Sequence, residues 1–231
     1  MPTRISWGAM TALHVFDMDG TLLRGTTAAI EISRRVGRLE PLAELERSFA
    51  AEEISASDFA METHALWEDL TAELVAEVVA GAPWIGGIED VCWDIAERGE
   101  RSMLITMSPD FFAEHLGARG IDVVRASRWP APPFAAPIDP AGILSPADKV
   151  RLTEAERSAH GLARHACVAY GDSMSDLPLF AVLENTVAVN ADAALERAAR
   201  VAYRGEDLRV AYGHGRALLD AAAPDQSGPG R

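Results

Sequence analysis

Two acidic motifs carry the first chemical information in the chain. Asp17 and Asp19 stand in Asp17-Met18-Asp19-Gly20-Thr21-Leu22, directly after the apolar run LHVF. Asp172 and Asp176 stand in Gly171-Asp172-Ser173-Met174-Ser175-Asp176, directly after the apolar run ACVAY. In an open parallel sheet, ligands bind in the crevice outside the carboxyl ends of the strands. Carboxylates crowded there repel one another unless a proton or a cation intervenes. All-oxygen donors suit a hard ion such as Mg²⁺, and one shared metal accounts for both clusters.

The chain contains a single lysine, Lys149. Its compact ammonium is suited to phosphate as a point charge. Thr106 closes the apolar run Met103–Thr106, and Ser108 follows it. Either hydroxyl can donate to a phosphate oxygen. Ser108-Pro109 also reads as a cap and first helical position for a helix over Pro109–Leu116. Thr106 is therefore the preferred phosphate ligand and Ser108 the preferred cap, with Ser108 kept as the alternative phosphate ligand.

Positioning these groups requires a particular set of elements. Short apolar runs occur at Ala12–Phe16, Met103–Thr106, Ile121–Val124, Ala166–Tyr170 and Thr186–Val189. Each is too short for a helix, and helical patterns separate them. This alternation predicts an α/β, Rossmann-like parallel sheet with helices on both faces. Ser145-Pro146 marks the start of the helix carrying Lys149. Gly37, Gly81 and Gly99 mark helix ends. Ile88–Arg98 reads as an amphipathic helix, and a further helix is expected over Leu177–Leu183.

Residues 25–86 show helical segments and no strand pattern. They are expected to form a helical cap domain inserted into a core of residues 1–24 and 87–231, with Pro83 and Gly86-Gly87 as the return hinge. Met1–Thr11 reads as a loose arm without the apolar run of a signal peptide. Ala222–Arg231 is rich in Pro and Gly and is expected to be disordered.

The net charge of −14 argues against a nucleic-acid partner, whose phosphates most of the surface would repel. No stretch reaches the length of a membrane span. Cys92 and Cys167 lack metal-ligand spacing and read as buried apolar residues, so a cytoplasmic location is expected.

With the motifs in the order DMDGTL, Thr106, Lys149 and GDSMSD, the sequence resembles the haloacid dehalogenase superfamily, in its phosphoserine-phosphatase-like branch. The resemblance implies a Mg²⁺-dependent phosphatase acting on a small phosphorylated metabolite. Asp17 would be the nucleophile and form an aspartyl-phosphate, and Asp19 the general acid and base. Asp17, the main-chain carbonyl of Asp19, and Asp172 would hold Mg²⁺, with Asp176 as a further ligand or a support. Thr106, Lys149 and the metal would balance charge on the transferring group. Backbone amides near Met18 and Met107 would add donors.

The sequence departs from phosphoserine phosphatases at two places. Arg24-Gly25-Thr26-Thr27 lacks their glutamate after the first motif, and Glu62–Trp67 lacks their cap arginine. Arg24, His64 and Trp67 are the candidate specificity residues. The alternatives are a phosphoserine phosphatase proper, a phosphomutase or phosphotransferase, and a non-catalytic binding protein on the same fold. A monomer or homodimer is expected.

Overall fold

The structure, a computed structural model, describes residues 10–51 and 53–222. Six parallel strands form one sheet in the order β5-β4-β1-β6-β7-β8. They are β1 (Leu13–Phe16), β4 (Arg101–Pro109), β5 (Val123–Ser127), β6 (Cys167–Gly171), β7 (Asn185–Val189) and β8 (Val201–Tyr203). A separate two-residue pair, β2 (Asp19–Gly20) and β3 (Leu23–Arg24), follows β1.

Both faces of the sheet are covered, which explains why the central strands read as continuous apolar runs. Successive side chains of β1 point to opposite faces. Leu13 and Val15 join the core beneath α7 (Pro146–Ala159), α8 (Leu177–Phe180) and α9 (Ala193–Ala198). Phe16 joins the other core, beneath α5 (Ile88–Glu97) and α10 (Leu208–Ala222). That second core continues without a break into α1 (Ala28–Arg35), α2 (Leu39–Ala50), α3 (Ala56–Leu66) and α4 (Ala72–Gly81).

Local chemistry starts these helices. Thr27 caps α1 by accepting from the Ile30 amide at 3.1 Å, and Thr71 does the same for α4. Ser55 and Asp58 form a reciprocal box at α3. At α7 the Ser145 amide donates to Asp148 Oδ2 at 2.9 Å, and Pro146 fills the first helical position. The two chains that join α1–α4 to the rest run side by side. The Arg24 amide donates to the Pro83 carbonyl at 3.0 Å, and the Ile85 amide to the Leu22 carbonyl at 2.8 Å.

Two sequence expectations need correction. β4 runs on through Ser108 and Pro109, so the helix expected from Pro109 is α6 (Asp110–Ala113) followed by a 3₁₀ segment, Glu114–Arg119. Pro109 occupies the cap position and no side chain caps that helix, so Ser108 is not a cap. The helix expected over Leu177–Leu183 ends at Phe180. Most of the loose arm and of the disordered tail expected at the two ends lies outside the described residues. Among those described, no helix is long and apolar enough to cross a membrane.

Beneath the sheet centre lies a buried polar group. His14 Nε2 stands 2.9 Å from Glu100 Oε2, and Nδ1 stands 3.1 Å from the Tyr170 hydroxyl. A carboxylate only accepts, so Nε2 carries the proton and Tyr170 donates to Nδ1. Burial depresses His14 below its ordinary 6.5, outweighing the raising effect of Glu100. The unfolded imidazole therefore protonates at higher pH than the folded one. Stability from His14 is present above the unfolded value and lost as pH falls through the folded one. Below about pH 6.5, denaturant unfolding should show wild type losing stability relative to His14→Asn by up to about 1.4 kcal/mol per pH unit. Parallel pH profiles for the two proteins would refute the assignment.

Candidate active site

The carboxyl ends of β1, β4 and β6 meet in one place. Asp17 follows β1, and its amide donates to the Tyr170 carbonyl at 2.9 Å, which ties the first acidic motif to the strand carrying the second. Lys149 projects from the first turn of α7 and is only 2% exposed. Its ammonium donates to Asp17 Oδ1 and to Asp176 Oδ1, each at 2.6 Å, and to Ser175 Oγ at 3.2 Å. Asp176 Oδ2 accepts from the Asp172 amide at 3.1 Å and the Ser173 amide at 3.4 Å.

Two glycines make this approach possible. A Cβ on Gly20 would stand 1.9 Å from Asp172 Oδ2, and Gly20 also has φ of +81°. A Cβ on Gly171 would stand 2.4 Å from the Asp176 carboxyl group. Either side chain would displace a carboxylate from the cluster.

Asp19 faces a different set of partners. Its Oδ1 accepts from the Ala28 amide of α1 at 2.7 Å. Its Oδ2 accepts from Ser108 Oγ at 2.7 Å and from Thr106 Oγ1 at 3.1 Å. The Ser108 amide in turn donates to Thr106 Oγ1 at 3.1 Å. The sequence separates the tasks of Thr106 and Ser108; the structure brings both hydroxyls to one carboxylate.

The electrostatics follow from burial and crowding. Burial drives the Asp17 carboxyl well above the ordinary carboxylate range, against the pull of Lys149. Burial and then the Asp176 charge push Asp172 up to about 7. Asp19 is also raised, by burial, with its three hydrogen bonds opposing the rise. For Lys149, burial favours loss of the proton, but the charges of Asp17 and Asp176 outweigh it and the pKa rises.

Oxygens of Asp17, Asp172 and Asp176 lie within 4.8 Å of one another. Asp172 Oδ1 is buried and has no hydrogen-bond partner. An orphaned buried oxygen in an all-carboxylate cluster fits a hard divalent cation. Both Asp176 oxygens are already engaged, which suits it to support rather than direct contact. The Asp19 carboxylate is turned to other donors.

A cavity of about 380 Å³ opens onto these groups. Asp17, Asp19, Lys149 and Asp172 line it, as do Thr26, Thr27 and Ile30 from the start of α1. Arg24, His64 and Trp67, expected to select substrate, do not line it. Arg24 pairs with Glu206. Trp67 is 1% exposed, and its Nε1 donates to Ser33 Oγ at 2.8 Å. His64 stacks on Phe134 with ring centroids 4.3 Å apart.

Asn190, at the carboxyl end of β7, also lines the cavity and was not anticipated. Its position after the run Thr186–Val189 was the available signal, since strand ends face the crevice. Thr27 carried a helix-cap signal and no signal of its cavity role.

The family model for haloacid dehalogenase-like hydrolases matches residues 14–181. The chain belongs to that family. A comparison with curated proteins found no match. Among solved structures, a substrate-bound phosphoserine phosphatase aligns with a TM-score of 0.74 at 20% identity, covering 88% of this chain and 98% of that one. A HAD family hydrolase from Salmonella enterica serovar Typhi aligns with a TM-score of 0.77 at 17% identity, covering 87% and 70%. A probable phosphoserine phosphatase from Vibrio cholerae aligns with a TM-score of 0.73 at 19% identity, covering 91% and 64%. These likenesses establish the shared fold.

Proposed function

We propose that this hydrolase is a Mg²⁺-dependent phosphatase that cleaves phosphate monoesters of a small metabolite through an aspartyl-phosphate on Asp17. The observation that carries the reading is the division between two carboxylates in one cavity. Asp17 is paired with an ammonium, whereas Asp19 is held by uncharged donors. Such a split sorts two acids into a nucleophile and a proton donor.

A carboxylate oxygen of Asp17 attacks phosphorus. The bond to the ester oxygen breaks, its electron pair stays on that oxygen, and Asp19 supplies the proton. Water then attacks the phosphorus of the aspartyl-phosphate while Asp19 takes its proton. The bond to Asp17 breaks, releasing inorganic phosphate and restoring both carboxyl groups. The Lys149 ammonium offsets charge beside Asp17, and Thr106 and Ser108 keep Asp19 aimed into the cavity. Asp17, Asp172 and the Asp19 carbonyl, with Asp176 in support, would hold Mg²⁺, which would supply positive charge favouring ionised carboxylates and a charged phosphoryl group.

Helices α1–α4 are assigned as the cap, residues 25–86, over a core of 1–24 and 87–231. The start of α1 on the cavity wall and the adjacent connecting chains support this assignment. The free, buried Cys92 and Cys167 are consistent with a reducing cytoplasm.

The reading is tested by phosphate release from p-nitrophenyl phosphate. Release is expected with Mg²⁺, is expected to stop with EDTA, and should return when Mg²⁺ is restored. EDTA-resistant release, or none under any condition, would overturn it.

A further inference from the structure

Besides the acidic cluster and Lys149, the cavity is lined by Gly25, Thr26, Thr27, Ile30, Met107 and Asn190. None of these side chains is charged. Among the described residues, Lys149 is the one cationic side chain lining the cavity, and Asp17 and Asp176 already hold it. The nearby arginines are committed elsewhere, Arg24 to Glu206 and Arg34 to Glu31.

The positive end of α1 is engaged in part. The Ala28 amide donates to Asp19, and the Ile30 amide to Thr27. Behind the wall, Thr26 Oγ1 donates to Glu31 Oε1 at 2.6 Å, so the nearest extra charge is another carboxylate. That hydroxyl and Arg34 both donate to Glu31 Oε1, which leaves Oε2 open to a cation but gives a carboxylate no partner.

Resting on the phosphatase reading above, we propose that the leaving alcohol is hydroxylated, as in a polyol or sugar, and carries no carboxylate. A carboxylate on the alcohol would be stripped of water beside Asp17, Asp19 and Asp172 with no cation to meet it. Hydroxyl groups find a donor in Thr27, whose Oγ1 accepts from the Ile30 amide and keeps its own proton to give, and carbon-bound hydrogens find Ile30 and Met107.

The test compares kcat/KM with Mg²⁺ for glycerol 3-phosphate and glucose 6-phosphate against the carboxylate-bearing O-phosphoserine and 3-phosphoglycerate. p-Nitrophenyl phosphate serves as the common reference. At least one carboxylate-free ester should exceed every carboxylate-bearing ester by about 100-fold. Calorimetric titration of the Asp17→Asn protein should rank binding in the same order.

Preference for a carboxylate-bearing ester, with the reference still hydrolysed, overturns the substrate class and leaves the phosphatase reading standing. Loss of the reference reaction as well overturns both. Ile30→Arg places a cation on the wall and should raise the ratio of 3-phosphoglycerate to glycerol 3-phosphate turnover about tenfold. Circular dichroism and thermal melting verify the fold of this variant. An unchanged ratio in a folded variant means that the wall does not face the alcohol, and the proposal fails.

Discussion

Asp17→Asn should abolish phosphate release, with kcat lower by about 10⁴-fold or more. The side chains are nearly the same size, so packing is preserved, but an amide is a poor nucleophile and its adduct would not turn over. The backbone remains anchored by the Asp17 amide on the Tyr170 carbonyl, a contact independent of the side chain. Lys149 keeps Asp176 as its partner. Because burial already raises the Asp17 pKa, removing this carboxylate relieves crowding rather than exposing an orphan. The melting temperature should therefore hold or rise while activity disappears. Steady-state phosphate release and thermal melting of the same preparation test this together. A variant that melts normally and keeps full turnover would remove Asp17 from the mechanism.

The second large effect is on folding. Lys149→Met deletes the ammonium that joins Asp17 to Asp176 and leaves two buried carboxylates without their cation. Breaking a buried ion pair from one side costs about 3–5 kcal/mol. The pH dependence gives the cause away. Without Lys149 the Asp17 carboxyl, already raised by burial, rises further above its unfolded value. Such a group contributes stability that is present below the unfolded pKa and lost as pH rises through the folded one.

The variant should therefore be close to wild type near pH 5 and weakest near pH 8, where Mg²⁺ should restore part of the loss. Denaturant unfolding at the two pH values, with and without Mg²⁺, is the measurement. Equal destabilisation at both would mean that Lys149 contributes packing and not charge.

Several elements escaped sequence reading for identifiable reasons. β8 (Val201–Tyr203) is three residues long at the sheet edge and only partly covered, so it lacks the apolar run that marks β1 or β6. Helix α10 contains Gly213 and Gly215, residues that weaken a helical pattern. Gly215 is required by contact rather than by helix formation. A Cβ there would stand 2.1 Å from the Tyr170 hydroxyl, a neighbour on a different element. Ser108 reads as a cap because Ser-Pro commonly is one. The strand instead runs on past it, and its hydroxyl finds Asp19, distant in sequence.

What the chain determines by itself is the catalytic end of the molecule. Strand runs, turn glycines and the capped helix of Lys149 are local patterns. They place Asp17, Asp19, Asp172 and Lys149 at strand and helix ends because backbone hydrogen bonding and side-chain alternation act over a few residues. Only the tertiary structure decides which side chains of α1–α4 face the cavity. His64 near the end of α3 and Trp67 just after it turn to Phe134 and Ser33, while Thr26, Thr27 and Ile30 take the wall. That choice depends on which distant surface each helix meets, a packing outcome that no local pattern encodes.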